Sequence, residues 1–174
     1  MKREARILGE GKYLRLYDDD GWEYVERVHS NGVVVILAVT PDDRLLLVEQ
    51  YRPAVRASVL ALPAGLVGDE PQFAGEDFEV AAARELEEET GWRAGRLELI
   101  NITQTSSGMT SERRHLFRAR DLEPVGPGGG DDSEDITVHA VPVSEVRAWL
   151  EAVAESGRKI ESNLYAGLYW LNPS

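Results

Sequence analysis

Apolar positions recur with two different periods along the chain. Residues 13–17 and 22–28 alternate apolar and polar side chains on either side of Asp18-Asp19-Asp20-Gly21, which predicts two antiparallel strands joined at a tight turn. Residues 33–39 are continuously apolar and predict a strand covered on both faces. Residues 45–50 predict its hairpin partner across Thr40-Pro41-Asp42-Asp43. Further strands are expected at 60–62, 96–104, 113–120 and 136–141. From Phe78 to Thr90 there is no Pro or Gly, and Ala, Leu and Glu dominate, which predicts a helix stopped by Gly91. Ala82, Ala83 and Leu86 are expected to form its small apolar face. Two more helices fit 143–154, capped near Ser144, and 162–171. Gly128-Gly129-Gly130 falls in the segment 123–135, outside any strand-to-helix context, and reads as a mobile loop rather than a phosphate cradle. Strands covered by helices on both faces predict an α/β protein, an α/β/α sandwich with a mixed sheet and an N-terminal antiparallel hairpin.

Length and charge narrow the possibilities. A chain of 174 residues fits one domain, 1–174, with a real core. The net charge of −12 argues against a nucleic-acid surface. With no cysteine there are no disulfides or thiolate metal sites, and His29, His115 and His139 are too scattered to suggest zinc. No apolar run is long enough to span a membrane, and Met1-Lys2-Arg3-Glu4 leads into no apolar signal core. A soluble protein in the cytoplasm is the simplest expectation.

Candidate chemistry concentrates on the helix from Phe78 to Thr90. Glu85 and Glu89 are four residues apart and share a stripe; Glu88 lies about 60° to one side. These three carboxylates share a wedge roughly 100° wide beside the apolar face. Glu87 points elsewhere, and Arg84 is spaced to pair with Glu88. Carboxylates crowded in this way suit hard cations such as Mg²⁺ or Mn²⁺. The competing reading is an ordinary solvated acidic face.

The pattern Glu76-x7-Arg84-Glu85-x-x-Glu88-Glu89-x-Gly91 resembles the signature of the Nudix hydrolases. In that family the spacer from the upstream glycine to the first glutamate is usually five residues; here ten lie between Gly65 and Glu76, which reads as a loop insertion. Gln50-Tyr51-Arg52-Pro53, Pro63-Ala64-Gly65 and Ser107-Gly108-Met109-Thr110-Ser111-Glu112-Arg113 resemble the ADP-ribose pyrophosphatase branch, although Ser107 stands where that branch usually has proline. So does Glu134-Asp135-Ile136 at the start of the last predicted strand.

The resemblance implies metal-dependent hydrolysis of the diphosphate of ADP-ribose to AMP and ribose 5-phosphate. Nucleoside diphosphate sugars such as GDP-mannose or ADP-glucose are the alternative substrates, and a non-catalytic nucleotide sensor is the alternative of another class. It implies Glu85, Glu89 and Glu88 as ligands of Mg²⁺ or Mn²⁺, more than one ion, with the carbonyl of Ala64 completing the coordination. It makes Glu112 the candidate base, with a further possible role as metal ligand, and Arg84 a residue that orients Glu88. Arg52 is a candidate phosphate contact, since a guanidinium fork suits phosphate oxygens, and Gly108 belongs to the substrate loop. Trp22, Tyr24 and Tyr51 are candidates to stack on a nucleobase, or to pack in the core or at a subunit interface. Residues 1–30 are read as a β extension that builds a homodimer.

Overall fold

A computed structural model describes residues 5–130 and 134–171. In chain order its strands are β1 (Arg6–Glu10), β2 (Leu14–Asp19), β3 (Trp22–Arg27), β4 (Gly32–Ala38), β5 (Arg44–Arg52), β6 (Ala57–Ala61) and β7 (Ala64–Val67). After helix α1 (Phe78–Thr90) come β8 (Trp92–Gln104), β9 (Arg113–Pro124) and β10 (Ile136–Pro142). Helix α2 (Val146–Glu155), the short β11 (Lys159–Ile160) and helix α3 (Ser162–Leu171) complete the described elements.

The strand β4 explains the layering. Every residue in it is buried, and its side chains alternate between two cores. Val33, Val35 and Leu37 pack with Leu150, Val153 and Leu164 of α2 and α3. Val34, Ile36 and Ala38 pack with Ala81, Ala82 and Leu86 of α1. One strand therefore serves helices on both faces, which is the expected α/β/α arrangement. Two four-stranded mixed sheets result, ordered β7-β4-β9-β8 and β10-β5-β6-β11, beside a three-stranded antiparallel sheet β1-β2-β3.

Several expectations need correction. The segments at 33–39 and 45–50 do not form a hairpin ladder. A single bridge, Val39 to Leu45, closes the turn, and the strands then diverge into different sheets. Both edges of β4 are already taken, by β7 and by β9. The apolar face of α1 contains Ala81 rather than Ala83, which is exposed. The helix expected from residue 143 starts at Val146 with Glu145 at its N-cap, after a turn in which Glu145 N–H donates to the Pro142 carbonyl. The N-terminal hairpin gains β1 as a third strand, and β11 runs parallel to β6.

The glycine run is not a free loop where it is described. Gly129 and Gly130 donate their N–H groups to the carbonyls of Glu89 and Glu88, at 2.9 and 3.0 Å. Gly128 has φ +67°, and a Cβ there would stand 2.4 Å from the carbonyl carbon of Thr90. Glycine is required because the segment lies against the end of α1. It satisfies carbonyls that a helix C-terminus leaves unpaired.

Candidate functional site

Helix α1 is fixed at both ends. Asp77 caps its start, accepting the Glu79 N–H at 3.0 Å. Gly91 at φ +72° ends it, donating to the Glu87 carbonyl. With Ala81, Ala82 and Leu86 buried, the neighbouring stripe that carries Glu85 and Glu89 is drawn down against β7. Glu89 is 2 % exposed and accepts the backbone N–H of Ala64 at 2.9 Å. Glu85 lies against Gly65, where a Cβ would come within 1.9 Å of its carboxyl carbon. The Pro63-Ala64-Gly65 segment is thus shaped to admit these two carboxylates.

Arg84 ties the acids together. Its Nε and Nη2 donate to the two oxygens of Glu76 at 3.0 and 3.1 Å, and its Nη1 reaches Glu85 at 2.8 Å and Glu88 at 3.0 Å. The sequence pairs Arg84 with Glu88 alone; Glu76 and Glu85 are its additional partners. Its guanidinium also lies over the ring of Phe73, 4.2 Å from the centroid. Phe73 ends a short 3-10 turn, Pro71–Phe73, inside the long spacer. The inserted residues therefore build part of the site wall. Glu87 turns away to pair with Arg93 at 3.0 Å.

These helix acids open on a cavity of about 770 Å³. Glu85, Glu88, Glu112 and Glu134 line it, together with Arg27, Arg52 and Arg114 and the segment from Ala64 to Leu66. Burial pushes the Glu85 carboxyl up to about 7; Arg84 opposes this, while Glu88 and Glu134 add to it. Burial also raises Glu89 well above the usual carboxylate range, against the pull of the Ala64 N–H and of Arg52. A positive charge placed beside crowded, buried carboxylates favours their ionised form. Among the described residues no three acids or histidines already stand in a chelating arrangement, and Arg84 bridges Glu76, Glu85 and Glu88. The donors nonetheless fit a hard divalent cation in type: carboxylate oxygens beside the start of β7 at Ala64.

Glu112 is held at the cavity wall from two sides. Its Oε2 accepts from Arg27 Nε at 2.5 Å and its Oε1 from the Thr105 hydroxyl at 2.9 Å. Neither partner was evident in the sequence: Arg27 is distant in the chain, and Thr105 lies at the end of a strand without a motif. The three aromatic candidates do not line the cavity. Trp22 donates its indole N–H to the Gly108 carbonyl at 3.2 Å, Tyr24 stacks on Tyr17 with ring centroids 5.3 Å apart, and Tyr51 is largely exposed on β5. Gly108 also lies outside the cavity lining. Arg52 does line it.

The layered fold and its acid-lined cavity define an α/β/α protein suited to holding a cation beside an anionic ligand. The chain belongs to the Nudix family: residues 29–164 match the NUDIX domain. It is 36 % identical over 110 residues to the methanol dehydrogenase activator of Bacillus methanolicus, covering 63 % of this chain and 57 % of that protein. It is 37 % identical over 99 residues to the ADP-ribose pyrophosphatase of Bacillus subtilis, covering 56 % of this chain and 50 % of that protein. The matches thus span little more than half of these relatives' lengths. A crystal structure described as an ADP compounds hydrolase shares the fold, with a TM-score of 0.66 at 24 % identity, covering 85 % of this chain and 80 % of that one. No helix among the described residues is long and apolar enough to cross a membrane.

Proposed function

We propose that this protein hydrolyses the diphosphate linkage of ADP-ribose, giving AMP and ribose 5-phosphate. The observation that carries the reading is the convergence of Glu85, Glu88 and Glu89 beneath a cavity whose other walls carry Arg52 and Glu112. The similarity to the Bacillus subtilis ADP-ribose pyrophosphatase supports the substrate class.

Glu85, Glu89 and Glu88 would hold Mg²⁺ or Mn²⁺ with the carbonyl of Ala64. Bound there, the cation would supply neutralisation of the diphosphate and a lowered pKa for water. The protein's own part is positioning. Arg84 fixes the directions of Glu85 and Glu88 through its bond to Glu76. Arg52 offers a guanidinium fork to a phosphate oxygen. Glu112 has two lone-pair positions left after Arg27 and Thr105 are served, and these accept the proton of, or orient, an attacking water.

The test is a product assay with ADP-ribose, GDP-mannose, ADP-glucose and a dinucleoside polyphosphate, each with and without chelator. AMP and ribose 5-phosphate formed fastest from ADP-ribose, and lost with chelator, is the expected result. Preference for GDP-mannose would move the substrate to the nucleoside diphosphate sugars. Tight binding without any product would leave a sensor instead of an enzyme.

A further inference from the structure

The N-terminal sheet touches the loop that carries Glu112 at five places. Trp22 donates its indole N–H to the Gly108 carbonyl at 3.2 Å, and the Val25 N–H donates to the Met109 carbonyl at 2.9 Å. Val25 forms a parallel bridge with Thr110, and the Ser111 hydroxyl donates to Glu26 at 2.9 Å. The loop is therefore added to β3 much as a short strand is added to a sheet edge. At the end of this seam Arg27 meets Glu112 at 2.5 Å. All of these β3 residues precede residue 29, where the family match begins. The β3 half of the seam thus lies outside the stretch that the family model matches, while the loop half lies inside it.

Position and chemistry separate Arg27 from the rest of the seam. Trp22, Val25 and Glu26 fix the loop's backbone and rim; Arg27 alone among them lines the cavity and engages a carboxylate there. The Glu112 side chain is 12 % exposed and the Arg27 side chain 34 % exposed, so the pair sits in a partly desolvated wall. A carboxylate on a loop otherwise samples several rotamers, and each misdirects its lone pairs. A charge-assisted bond to one oxygen and a hydroxyl bond to the other leave one orientation. Two lone-pair positions of Glu112 then remain free for a water.

We propose that Arg27 is a positioning residue for the reaction. It would hold Glu112 in the orientation that water activation needs, and β3 would be the element that brings Arg27 there. The proposal rests on the reading of Glu112 as the group that handles the water. It assigns the N-terminal sheet a role within the same subunit, in turnover rather than in recognition of the nucleobase.

The experiment is a kinetic double-mutant cycle on the full chain, with ADP-ribose and saturating Mg²⁺. Arg27→Ala is expected to lower kcat roughly 10- to 100-fold, as misplacement of a reacting group does, with KM changed by less than about threefold. Arg27→Lys, which keeps one donor and the charge, should recover part of the loss. Arg27→Ala added to Glu112→Gln should cost nothing further, because the two act as one unit. Thr105→Val provides a second approach to the same carboxylate if Arg27→Ala fails to fold, and should lower kcat in the same direction. A normal kcat in Arg27→Ala, a loss confined to KM, or losses that multiply in the double variant would overturn the proposal. If Glu112→Gln itself turns over normally, the base assignment fails first. If Glu112→Gln is dead and Arg27→Ala is normal, only the positioning role falls.

Discussion

Both oxygens of Glu76 are engaged by Arg84, through Nε at 3.0 Å and Nη2 at 3.1 Å. The pair is largely buried, with side chains 6 % and 17 % exposed. Glu76 therefore anchors the guanidinium that directs Glu85 and Glu88. Glu76→Ala leaves Arg84 without its two-pronged partner in a low-dielectric wall. We expect a loss of about 3 kcal/mol in urea unfolding, together with a fall of roughly 10- to 100-fold in Mg²⁺ affinity. Unchanged metal affinity would show that Arg84 is held well enough by its other contacts.

Glu87 and Glu89 differ by half a turn and should differ in consequence. Glu89 is buried and bonded to the Ala64 N–H, whereas Glu87 pairs with Arg93 at the surface. Glu89→Gln should lower kcat by at least about 100-fold. Glu87→Gln should leave kcat within about twofold and cost at most about 1 kcal/mol of stability, as exposed ion pairs do. Equal losses in the two variants would mean that general acidity, not the buried stripe, matters.

Arg52 should act on affinity. It lines the cavity and its charge reaches Glu89. Arg52→Ala is expected to raise KM about tenfold or more, the effect of losing a charge-assisted contact, with a smaller change in kcat. An unaltered KM would remove Arg52 from the phosphate site.

The acids also set a pH signature for the metal-free protein. Glu85 is raised from the usual 4.5 to about 7, so the folded state keeps a proton that the unfolded chain releases. Its contribution to stability is fully present below about pH 4.5 and is lost as pH rises through about 7. His115, lowered by burial from 6.5, works the other way: its contribution is present above 6.5 and is lost as pH falls through the folded value. Glu85→Gln isolates the first effect. Between about pH 5 and about pH 8 the chelator-treated wild type should lose more Tm than Glu85→Gln does, and Mg²⁺ should raise the wild-type Tm more at the higher pH. Identical slopes in the two proteins would assign the pH dependence elsewhere.

How much of this was legible in the sequence depended on distance along the chain. The helix from Phe78 to Thr90 and the relative directions of Glu85, Glu87, Glu88 and Glu89 follow from local geometry, and the structure places them as the spacing indicates. Ala81 and Ala83 could not be told apart so easily, because the apolar stripe is narrow and one residue shifts it by about 100°. The separation of β4 and β5 depended on competing partners elsewhere, β7 and β9, that no local turn signal reveals. Arg27 and Glu112 are 85 residues apart, and nothing in the composition of either segment marks them as partners. The long spacer read as an insertion, but only packing shows that it delivers Phe73 to Arg84. The aromatic residues Trp22, Tyr24 and Tyr51 had several possible uses from sequence, and their surroundings place them away from the cavity.

The clasp formed by Gly128, Gly129 and Gly130 bears on how firmly the acid-bearing end of α1 is held. The last turns of α1 carry Glu88 and Glu89, and the end of a helix is where it ordinarily frays. Because the carbonyls of Glu88 and Glu89 are bonded from outside the helix, opening that end requires two bonds to break together. If α1 holds the cation proposed above, its carboxylates would keep their register without it, and exchange of metal would not require local melting. Slow amide hydrogen exchange at Gly129 and Gly130 in chelator would be the mark of a site whose geometry outlasts its occupant.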